Sequence, residues 1–400
     1  MTHESSGTRP PRILLRSAWQ TVNIGDVAHT PGLLALLEKY LPEAEVQVWP
    51  SAVDNGVEAQ IASRFPHVRV LKNTPENLLP AIAHNDFLLH GSGPKLMGAR
   101  ELAQWAEAGK PYGVYGITLQ ESDEETVRLL SGAEFAYFRD SVSLRRAREA
   151  GVSAPVVGLA PDSAFAIDLA DDDAARAFLE ANGLADGTYL CCLSRLRVSP
   201  YWDMYDRPMN EQDRRDHAYN EQMRERDHAP LRSAIEAVVR NTGLKVLLCP
   251  EDSSQMKIAR ENIYDRLPAD VRDRVVWRED FWTLGEALSV HARSAGLFGN
   301  EMHSPIMAIG HGVPALVCRW KEQTSKGFMW HDIGLGDWLF DMDDPASVAR
   351  IAPAVLSMAA DPAAARTKAE GARERVHRMQ ADSMRVLADA LGRCSSGLHL

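Results

Sequence analysis

Residues 296–327 read GLFGNEMHSPIMAIGHGVPALVCRWKEQTSKG, and the fold prediction starts from this stretch. Residues 296–299 form a short apolar run between glycines, which is typical of a buried parallel strand. The carboxyl end of that strand delivers Glu301 and His303 into a loop. Ligands of open α/β sheets bind beyond the carboxyl ends of the strands, so this loop is a predicted site.

A short helix and a second strand follow in the same stretch. Ser304 and Pro305 suit a helix N-cap and first helical residue, and Gly310 suits the end of that helix. The next strand is predicted at 313–318, and cationic side chains follow it. The cations are Arg319, Lys321 and Lys326. A histidine, a carboxylate and three cations are therefore expected to share one rim of a sheet.

Length and charge limit the class of protein. A chain of 400 residues, 45% of them hydrophobic, exceeds one ordinary core and predicts two domains. The formal net charge of -11 argues against a nucleic-acid partner, because phosphate contacts need a basic face. The five cysteines show no CxxC spacing, so we expect reduced thiols, no zinc site and no disulfide framework.

The N-terminus and the hydropathy pattern bear on location. Residues 1–11 are polar and are predicted to be disordered. They lack the apolar segment of a signal peptide, and no later run approaches the length of a membrane span. We therefore expect a cytoplasmic chain without a transmembrane segment, which leaves peripheral membrane contact open.

Strands and helices alternate along the whole chain, which predicts doubly wound parallel sheets. The first domain is predicted at 12–184 and the second at 185–400, with a cleft between two sheets of similar construction. The first-half strands are predicted at 12–17, 46–49, 68–71, 86–90, 111–117, 134–138 and 156–159. The second-half strands are predicted at 188–194, 244–249, 274–277, 296–299 and 313–318.

Two segments of the second domain depart from this alternation of strands and helices. Residues 200–227 are polar and aromatic without a clear period, so we predict an inserted loop that serves as a lid or as an acceptor contact. Tyr201 and Trp202 are its candidate sugar-stacking residues, and a solvated surface excursion is the alternative. Residues 361–391 are predicted to form C-terminal packing helices.

Further candidates follow the first strand. Asn23, Gly25, Asp26 and His29 lie in a turn that leads into an apolar helix. Backbone N–H groups at such a turn suit an anion or a sugar hydroxyl, and Asp26 and His29 suit acid-base work. The alternative is that Asn23 and Asp26 only close the turn and cap the helix.

Other candidates lie at later strand ends. Gly91-Ser92-Gly93 lets backbone approach a ligand, although a tight turn needs the same glycines. Arg139 and Asp140 precede a helix and could equally form a surface pair.

Arg195 and Arg197 end the first strand of the second domain. Their spacing suits bidentate binding of a carboxylate or phosphate, with an exposed pair as the alternative.

The order of these motifs resembles that of the polysaccharide pyruvyl transferase family. Each matching piece is short, and the resemblance depends on the order in which the pieces occur over residues 12–330. They are Asn23-x-Gly25-Asp26, Gly91-Ser92-Gly93, Tyr112-x-x-x-Gly116, Arg139-Asp140-x-x-Ser143, Pro161-Asp162-x-Ala164-Phe165, Met302-His303-Ser304, Ala308, Gly312-Val313-Pro314 and Lys326-Gly327.

The resemblance implies a glycosyltransferase-B-like fold of two Rossmann-like domains. It also implies transfer of a pyruvyl group from phosphoenolpyruvate, as co-substrate and without another cofactor, to a saccharide as a cyclic ketal. The family's catalytic histidine falls on His303, with Asp26 beside the acceptor. The implied donor-binding residues are Arg195, Arg197, Glu301, Ser304, Lys321 and Lys326. The implied acceptor-binding residues are Asn23, Gly25, His29, Gly91, Ser92, Gly93, Arg139, Asp140, Tyr201 and Trp202.

The chain departs from the family pattern at the glycine triplet, which is here Gly91-Ser92-Gly93, and at Glu301. Glu301 stands where the family commonly has an arginine two residues before its histidine. A carboxylate beside an anionic donor weakens binding unless another cation compensates. Glu301 therefore favours a second hypothesis, a glycosyltransferase that uses a nucleotide sugar.

A noncatalytic glycan-binding relative is the third hypothesis, and a core histidine is the alternative for His303. The expected partner is a saccharide or lipid-linked glycan acceptor. No metal site is predicted, and the sequence does not give the oligomeric state.

Overall fold

The computed structural model describes residues 9–397, with side chains up to residue 393. Residues 1–8 of the predicted disordered N-terminus, and the side chain of Cys394, lie outside the described residues. Arg9 donates to Asp86, and the Pro11 carbonyl accepts from the Glu45 N–H, so residues 9–11 are held against the first sheet.

Seven parallel strands make up the first sheet, in the order β3-β2-β1-β4-β5-β6-β7. The strands are β1 (Arg12–Ser17), β2 (Glu45–Pro50), β3 (Arg69–Val70), β4 (Phe87–His90), β5 (Tyr112–Ile117), β6 (Ala136–Phe138) and β7 (Val157–Leu159). The helices of this half are α1 (Ile24–Tyr40), α2 (Val57–Arg64), α3 (Pro75–His84), α4 (Ala99–Glu107), α5 (Glu124–Ser131) and α6 (Ser141–Glu149), followed by a 3-10 turn at Ser163–Ala166.

Six parallel strands make up the second sheet, in the order β10-β9-β8-β11-β12-β13. The strands are β8 (Tyr189–Leu193), β9 (Lys245–Leu248), β10 (Val275–Trp277), β11 (Gly296–Gly299), β12 (Ala315–Arg319) and β13 (Leu339–Asp341). The longer helices are α7 (Asp172–Ala181), α9 (Glu211–Asn241), α10 (Gln255–Asn262), α12 (Leu284–Arg293), α13 (His303–Gly310), α16 (Ile351–Ala360) and α17 (Pro362–Gly397). The one-turn helices are α8 (Tyr201–Met204), α11 (Ala269–Arg272), α14 (Met329–Asp332) and α15 (Pro345–Val348), with 3-10 turns at Tyr264–Arg266, Lys321–Gln323, Lys326–Phe328 and Gly336–Trp338.

The predicted class, two doubly wound Rossmann-like α/β domains, is confirmed. The apolar runs that predicted the central strands are buried on both faces, as parallel strands covered by helices must be. β1, β4 and β5, for example, carry fully buried Leu14, Leu88 and Val114 in one core. β13 was not predicted, because its three residues are too short to show a period.

The compact units differ from the predicted division at residue 185. The first unit contains the chain up to Gln20, His29–Ala166 and the chain from His377, and the second contains Thr21–Ala28 and Ile167–Val376. α7 belongs to the second unit because the Asp171 N–H donates to the Gly285 carbonyl and to Ser289 Oγ.

Two further segments, Thr21–Ala28 and the chain from His377, also belong to a different unit from the one predicted. The Ile24 N–H donates to the Glu251 carbonyl at 2.9 Å, which ties the start of α1 to the second unit. In the first unit, Ser383 Oγ of α17 lies 3.5 Å from the Tyr115 hydroxyl.

The predicted loop at 200–227 is wrong, because most of it is helical. α9 runs for 31 residues and begins with a reciprocal capping box between Asn210 and Asp213. The helical period was hidden because the buried positions of its first half are themselves polar, as at Asn220 and Asp227. None of the helices in residues 9–397 combines the length and apolar character that a membrane crossing demands.

Candidate active site

The candidate site lies where the strand order of the second sheet reverses, between β8 and β11. Arg195 follows β8, Glu301 and His303 follow β11, and Glu251 follows the neighbouring β9. Parallel strands end at a common edge, and the reversal leaves a crevice at which α/β sheets bind ligands. Glu301 and His303 therefore lie on the predicted rim, and Arg195, predicted separately at the end of β8, lies at the same edge of the sheet.

Glu251 holds His303 and the start of α13 at once. His303 is only 4% exposed, and its Nδ1 lies 3.1 Å from Glu251 Oε1. A carboxylate only accepts, so Nδ1 donates. The second oxygen, Oε2, accepts the Ser304 N–H at 2.7 Å. α13 thus begins at His303, one residue before the predicted Ser304 cap, because a remote carboxylate rather than a local side chain caps it.

Asp26 lies on the other side of the imidazole ring. Its Oδ1 is 3.8 Å from His303 Nε2. Asn23 Oδ1 accepts the N–H groups of Gly25 at 2.7 Å and of Asp26 at 3.2 Å, so Asn23 closes the turn. The capping alternative therefore describes Asn23, whereas Asp26 faces the histidine.

Gly25 is required by the close approach of His303. A Cβ on Gly25 would lie 2.2 Å from His303 Cβ and 2.5 Å from Nδ1. The side-chain oxygen of Asn23 is bonded within the turn, and Gly25 leaves the space that the imidazole of His303 fills. Both residues thus shape the site, and these roles replace their predicted acceptor-binding roles.

Carboxyl groups crowd the same rim. Glu301 is buried, its Oε1 accepts from Gln255 Nε2 at 2.6 Å, and its Oε2 lies 3.3 Å from Arg195 Nη1. Burial raises the pKa of Glu301 to about 7, helped by Glu251 and opposed by Arg195 and Lys326. Burial, together with the charge of Glu301, raises the pKa of Asp252 to about 6. This part of the rim is short of positive charge.

Arg195 is the cation best placed to meet an anion here. Besides Glu301, its guanidinium contacts Ser199 Oγ at 2.8 Å and the Leu196 carbonyl at 3.1 Å. Lys326, on a 3-10 turn, acts on Glu301 electrostatically. Lys321 is exposed, and its backbone N–H donates to Asp343 Oδ2 at 3.2 Å.

Arg197 does not fit its predicted donor role. Its guanidinium is buried, pairs with both oxygens of Asp227 at 2.8 and 3.0 Å, and contacts Asp343 at 2.8 Å. It also lies over the ring of Trp320. The carboxylates of the long helix and of the β13 loop use its donors, so Arg197 is a structural ion-pair centre.

The first-unit candidates form a buried hydrogen-bond network. His29 Nδ1 lies 2.7 Å from Ser92 Oγ and 2.8 Å from Asp162 Oδ1. Arg139 donates to Asp162 Oδ2 at 2.7 Å and to Thr118 Oγ1 at 2.6 Å. His29, Ser92 and Arg139 are therefore linked to one another through Asp162, and their acceptor roles stay predictions.

The remaining first-unit candidates are also structural. Asp140 caps α6 by accepting the Ser143 N–H at 2.8 Å. A Cβ on Gly91 would lie 2.9 Å from Ser17 Oγ, and one on Gly93 would lie 2.9 Å from Trp19 Nε1. The structure supports the tight turn given as the alternative for the glycines, whereas Arg139 and Asp140 are buried and do not form the surface pair given as theirs.

The two aromatic candidates, Tyr201 and Trp202, differ in exposure. Tyr201 is 44% exposed and stacks on Tyr205 with ring centroids 6.1 Å apart. Electrostatic interactions link the Tyr201 hydroxyl to Asp26 and Arg195. Trp202 is buried edge-on against His217, so it packs rather than binds.

Three important residues were not singled out from the sequence: Glu251, Asp252 and Gln255. Pro250-Glu251-Asp252 directly follows a strand of the second sheet, so the rule that selected His303 could have found them. Gln255 carries a weaker signal, since only the contact with Glu301 distinguishes it from other helix residues.

One further cluster has the geometry of metal ligands. The ligand atoms of Cys191, Cys249 and His291 lie within 4.8 Å of one another in the second core. Burial lowers the pKa of His291 to about 3 and raises the pKa of the Cys249 thiol. We therefore interpret the cluster as uncharged side chains packed in the core, with Cys249 Sγ 3.8 Å from His291 Nε2.

The site thus offers an imidazole held between two carboxylates, an arginine beside a second carboxyl pair, and an exposed tyrosine. With a carboxylate on each side, the imidazole can accept and deliver protons. Asp26 can receive one. These are the components of acid-base group transfer.

Comparison with known proteins identifies a family and agrees with this fold. A family model described as polysaccharide pyruvyl transferase matches residues 23–322. A search of the curated proteins finds no match.

Solved structures resemble the whole chain. Anabaena Alr3699/HepE, in complex with UDP and glucose, is 14% identical, covers 96% of this chain and 100% of its own, and has a TM-score of 0.55. Medicago truncatula UGT71G1, complexed with UDP-glucose, is 11% identical, with 97% and 99% coverage and a TM-score of 0.56. The UDP-GlcNAc 2-epimerase from Methanocaldococcus jannaschii is 11% identical, with 86% and 92% coverage and a TM-score of 0.54. At these identities the likeness establishes the fold alone.

Proposed function

The chain belongs to the polysaccharide pyruvyl transferase family, and from that premise we propose that it moves a pyruvyl group from phosphoenolpyruvate to a saccharide as a cyclic ketal. The observation that carries the proposal is His303 between Glu251 and Asp26, at 3.1 and 3.8 Å. Ketal formation from an enol phosphate needs an acid at the methylene carbon and a base at the acceptor hydroxyl. Those two tasks fit these two side chains.

The reaction balances with these groups alone. Asp26 takes the proton of the first acceptor hydroxyl as its oxygen bonds to the central carbon. His303 delivers a proton to the methylene carbon, which becomes the methyl group. The oxygen of the second hydroxyl forms the other C–O bond as the donor's C–O bond to phosphate breaks. The second hydroxyl proton leaves with the phosphate. Asp26 then returns its proton to His303 across the 3.8 Å gap.

The donor and acceptor have separate candidates. Arg195 and Lys326 are proposed to hold the donor's carboxylate and phosphate, since they are the cations that interact with Glu301. Ser304 and Lys321 lie on the same rim as further donor candidates. Tyr201 is proposed to stack on a sugar ring of a free or lipid-linked glycan, because its side chain is exposed and its hydroxyl interacts electrostatically with Asp26.

The carboxyl groups favour one competing function, a nucleotide-sugar glycosyltransferase. Glu301 and Asp252 suit ribose or sugar hydroxyls better than they suit a highly charged donor. Two of the solved structures described above contain UDP or UDP-glucose, so this function is tested beside the proposed one.

Thermal unfolding with each ligand separates the two functions. Phosphoenolpyruvate at 100 times its Kd should add about 2.7 kcal/mol to the free energy of unfolding, with no shift from UDP-glucose. The ligand shift should shrink in Arg195→Ala, because that variant removes a proposed donor contact. A shift with UDP-glucose and none with phosphoenolpyruvate would favour the competitor.

A further inference from the structure

Glu301 and Glu251 lie against each other in the buried part of the candidate site. Glu301 is 1% exposed, Glu251 is 0% exposed, and the interaction with Glu251 raises the pKa of Glu301. Two ionised carboxylates at such a buried place repel each other, and neither has a proton to donate. One proton held at the pair removes this repulsion, as in other carboxyl pairs that share a site.

Directed contacts hold the pair in place. Gln255 Nε2 donates to Glu301 Oε1 at 2.6 Å, and Gln255 Oε1 accepts the Glu251 N–H at 2.8 Å, so one amide bridges both residues. Glu251 is further fixed by His303 and by the Ser304 N–H. The charged or titratable groups facing the pair from the surrounding elements are Arg195, Asp252, His303 and Lys326.

Two neighbouring side chains indicate that a ligand belongs here. Asn300 and Ser304 are fully buried on either side of Glu301 and His303 in the chain. Both amide atoms of Asn300 and the Ser304 hydroxyl have no hydrogen-bond partner among the described residues. Buried polar atoms without partners are uncommon in native proteins and call for a ligand or an ordered water.

We infer that Glu301 and Glu251 share one proton, and that this proton admits an anionic donor beside His303. The inference rests on the proposed function for the identity of the donor. With the proton, the pair carries one negative charge and Arg195 is left available to the donor. Without it, two negative charges oppose the donor and compete for the same guanidinium. Glu301 is thereby a specificity-determining residue that makes donor affinity depend on pH.

The direction of the pH dependence follows from linkage. An anion that prefers the protonated pair raises the proton affinity of the pair, and the proton raises the affinity for the anion equally. The Kd for phosphoenolpyruvate should be flat below the pKa of Glu301, about 7, and should rise above it. The rise is at most about tenfold per pH unit for one proton.

Carbon-13 NMR of the glutamate side-chain carboxyls tests the shared proton without any ligand. We expect one resonance with a midpoint near 7 that is missing in Glu301→Gln. The exposed Glu279→Gln should leave it in place. If all glutamates titrate near the ordinary value of about 4.3, the shared proton is ruled out.

Calorimetry of phosphoenolpyruvate binding in two buffers of different ionisation enthalpy tests the coupling. At pH 8 the wild type and Glu279→Gln should take up a proton that Glu301→Gln does not, and Glu301→Gln should bind about tenfold more tightly. Equal proton uptake in all three proteins would overturn the coupling. If no protein binds phosphoenolpyruvate at any pH, the donor assignment fails and the coupling with it, while the NMR midpoint still decides the shared proton.

Discussion

Gly25 and His303 are packed so closely that a methyl group on Gly25 would lie 2.2 Å from His303 Cβ. A distance below 3.0 Å means that one of the two backbones or the imidazole must move. Gly25 lies in the first turn of α1 and His303 begins α13. Both are anchored, because the Gly25 N–H donates to Asn23 Oδ1 and His303 Nδ1 donates to Glu251 Oε1. The glycine of the Asn-x-Gly-Asp motif is therefore explained by the position of the histidine.

Gly25→Ala should displace the imidazole and lower turnover about 100-fold, the effect of misplacing a catalytic group by about 1 Å. The free energy of unfolding should fall by about 1–3 kcal/mol through overpacking. Rate measurements and denaturant unfolding check the two effects. Gly243→Ala is the matched control, because nothing lies within 4 Å of its Cβ position. Normal turnover in Gly25→Ala would show that the imidazole position is unimportant.

The two arginines after β8 should differ in what they control. Arg197→Ala leaves Asp227 and Asp343 without their shared partner, which should cost about 3–5 kcal/mol of stability and leave the donor KM unchanged. Arg195→Ala should raise the donor KM with a smaller loss of stability. Chemical denaturation and steady-state kinetics of both variants are the measurement. A reversed pattern would return Arg197 to the donor site.

Glu301 should make stability depend on pH in a defined window. Burial raises the pKa of Glu301 from 4.5 to about 7, so the folded state binds more protons than the unfolded state between these values. Its contribution is therefore fully present below pH 4.5 and is lost as pH rises to 7, by about 3 kcal/mol.

Glu301→Gln imitates the protonated group and should gain that amount relative to wild type between pH 4.5 and 8. Urea unfolding at both pH values measures it. A stability difference that does not change with pH would contradict the shift.

Tyr201→Ala should raise the acceptor KM by roughly 2- to 12-fold, corresponding to about 0.5–1.5 kcal/mol of ring stacking. Tyr201→Phe should keep most of the affinity. Leu79→Ala removes a comparably exposed apolar side chain, 67% exposed, from the first unit and serves as the control. An unchanged acceptor KM in Tyr201→Ala would remove this residue from the acceptor site.

The fold was predictable because its strands are apolar runs at regular intervals with glycines at their ends. Gly296–Gly299, for example, was predicted with the bounds that the structure gives. The helix at Glu211–Asn241 was missed because its buried Asn220 and Asp227 have partners, Val198 and Arg197, that only the folded chain brings near. The end of α17 was assigned to the second domain because sequence distance from the first sheet conceals its contact with Tyr115.

The site was predictable only in part. Strand ends identified His303, Glu301 and Arg195, since one rule places all three on the same edge. That rule cannot tell a ligand-facing cation from one that neutralises core carboxylates, so it also selected Arg197. The same rule could have selected Glu251 as a strand-end residue, but its role needed the structure, because that role comes from two hydrogen bonds to residues about fifty positions away.

Phosphate release from phosphoenolpyruvate with a panel of saccharides tests the central claim most directly, with His303→Ala and the exposed His67→Ala assayed beside the wild type. We predict that wild type and His67→Ala release phosphate and form the ketal, whereas His303→Ala stays folded and is at least about 100-fold slower. Near-normal phosphate release by folded His303→Ala would contradict the account, and so would consumption of a UDP-sugar by wild type with no phosphate release from phosphoenolpyruvate.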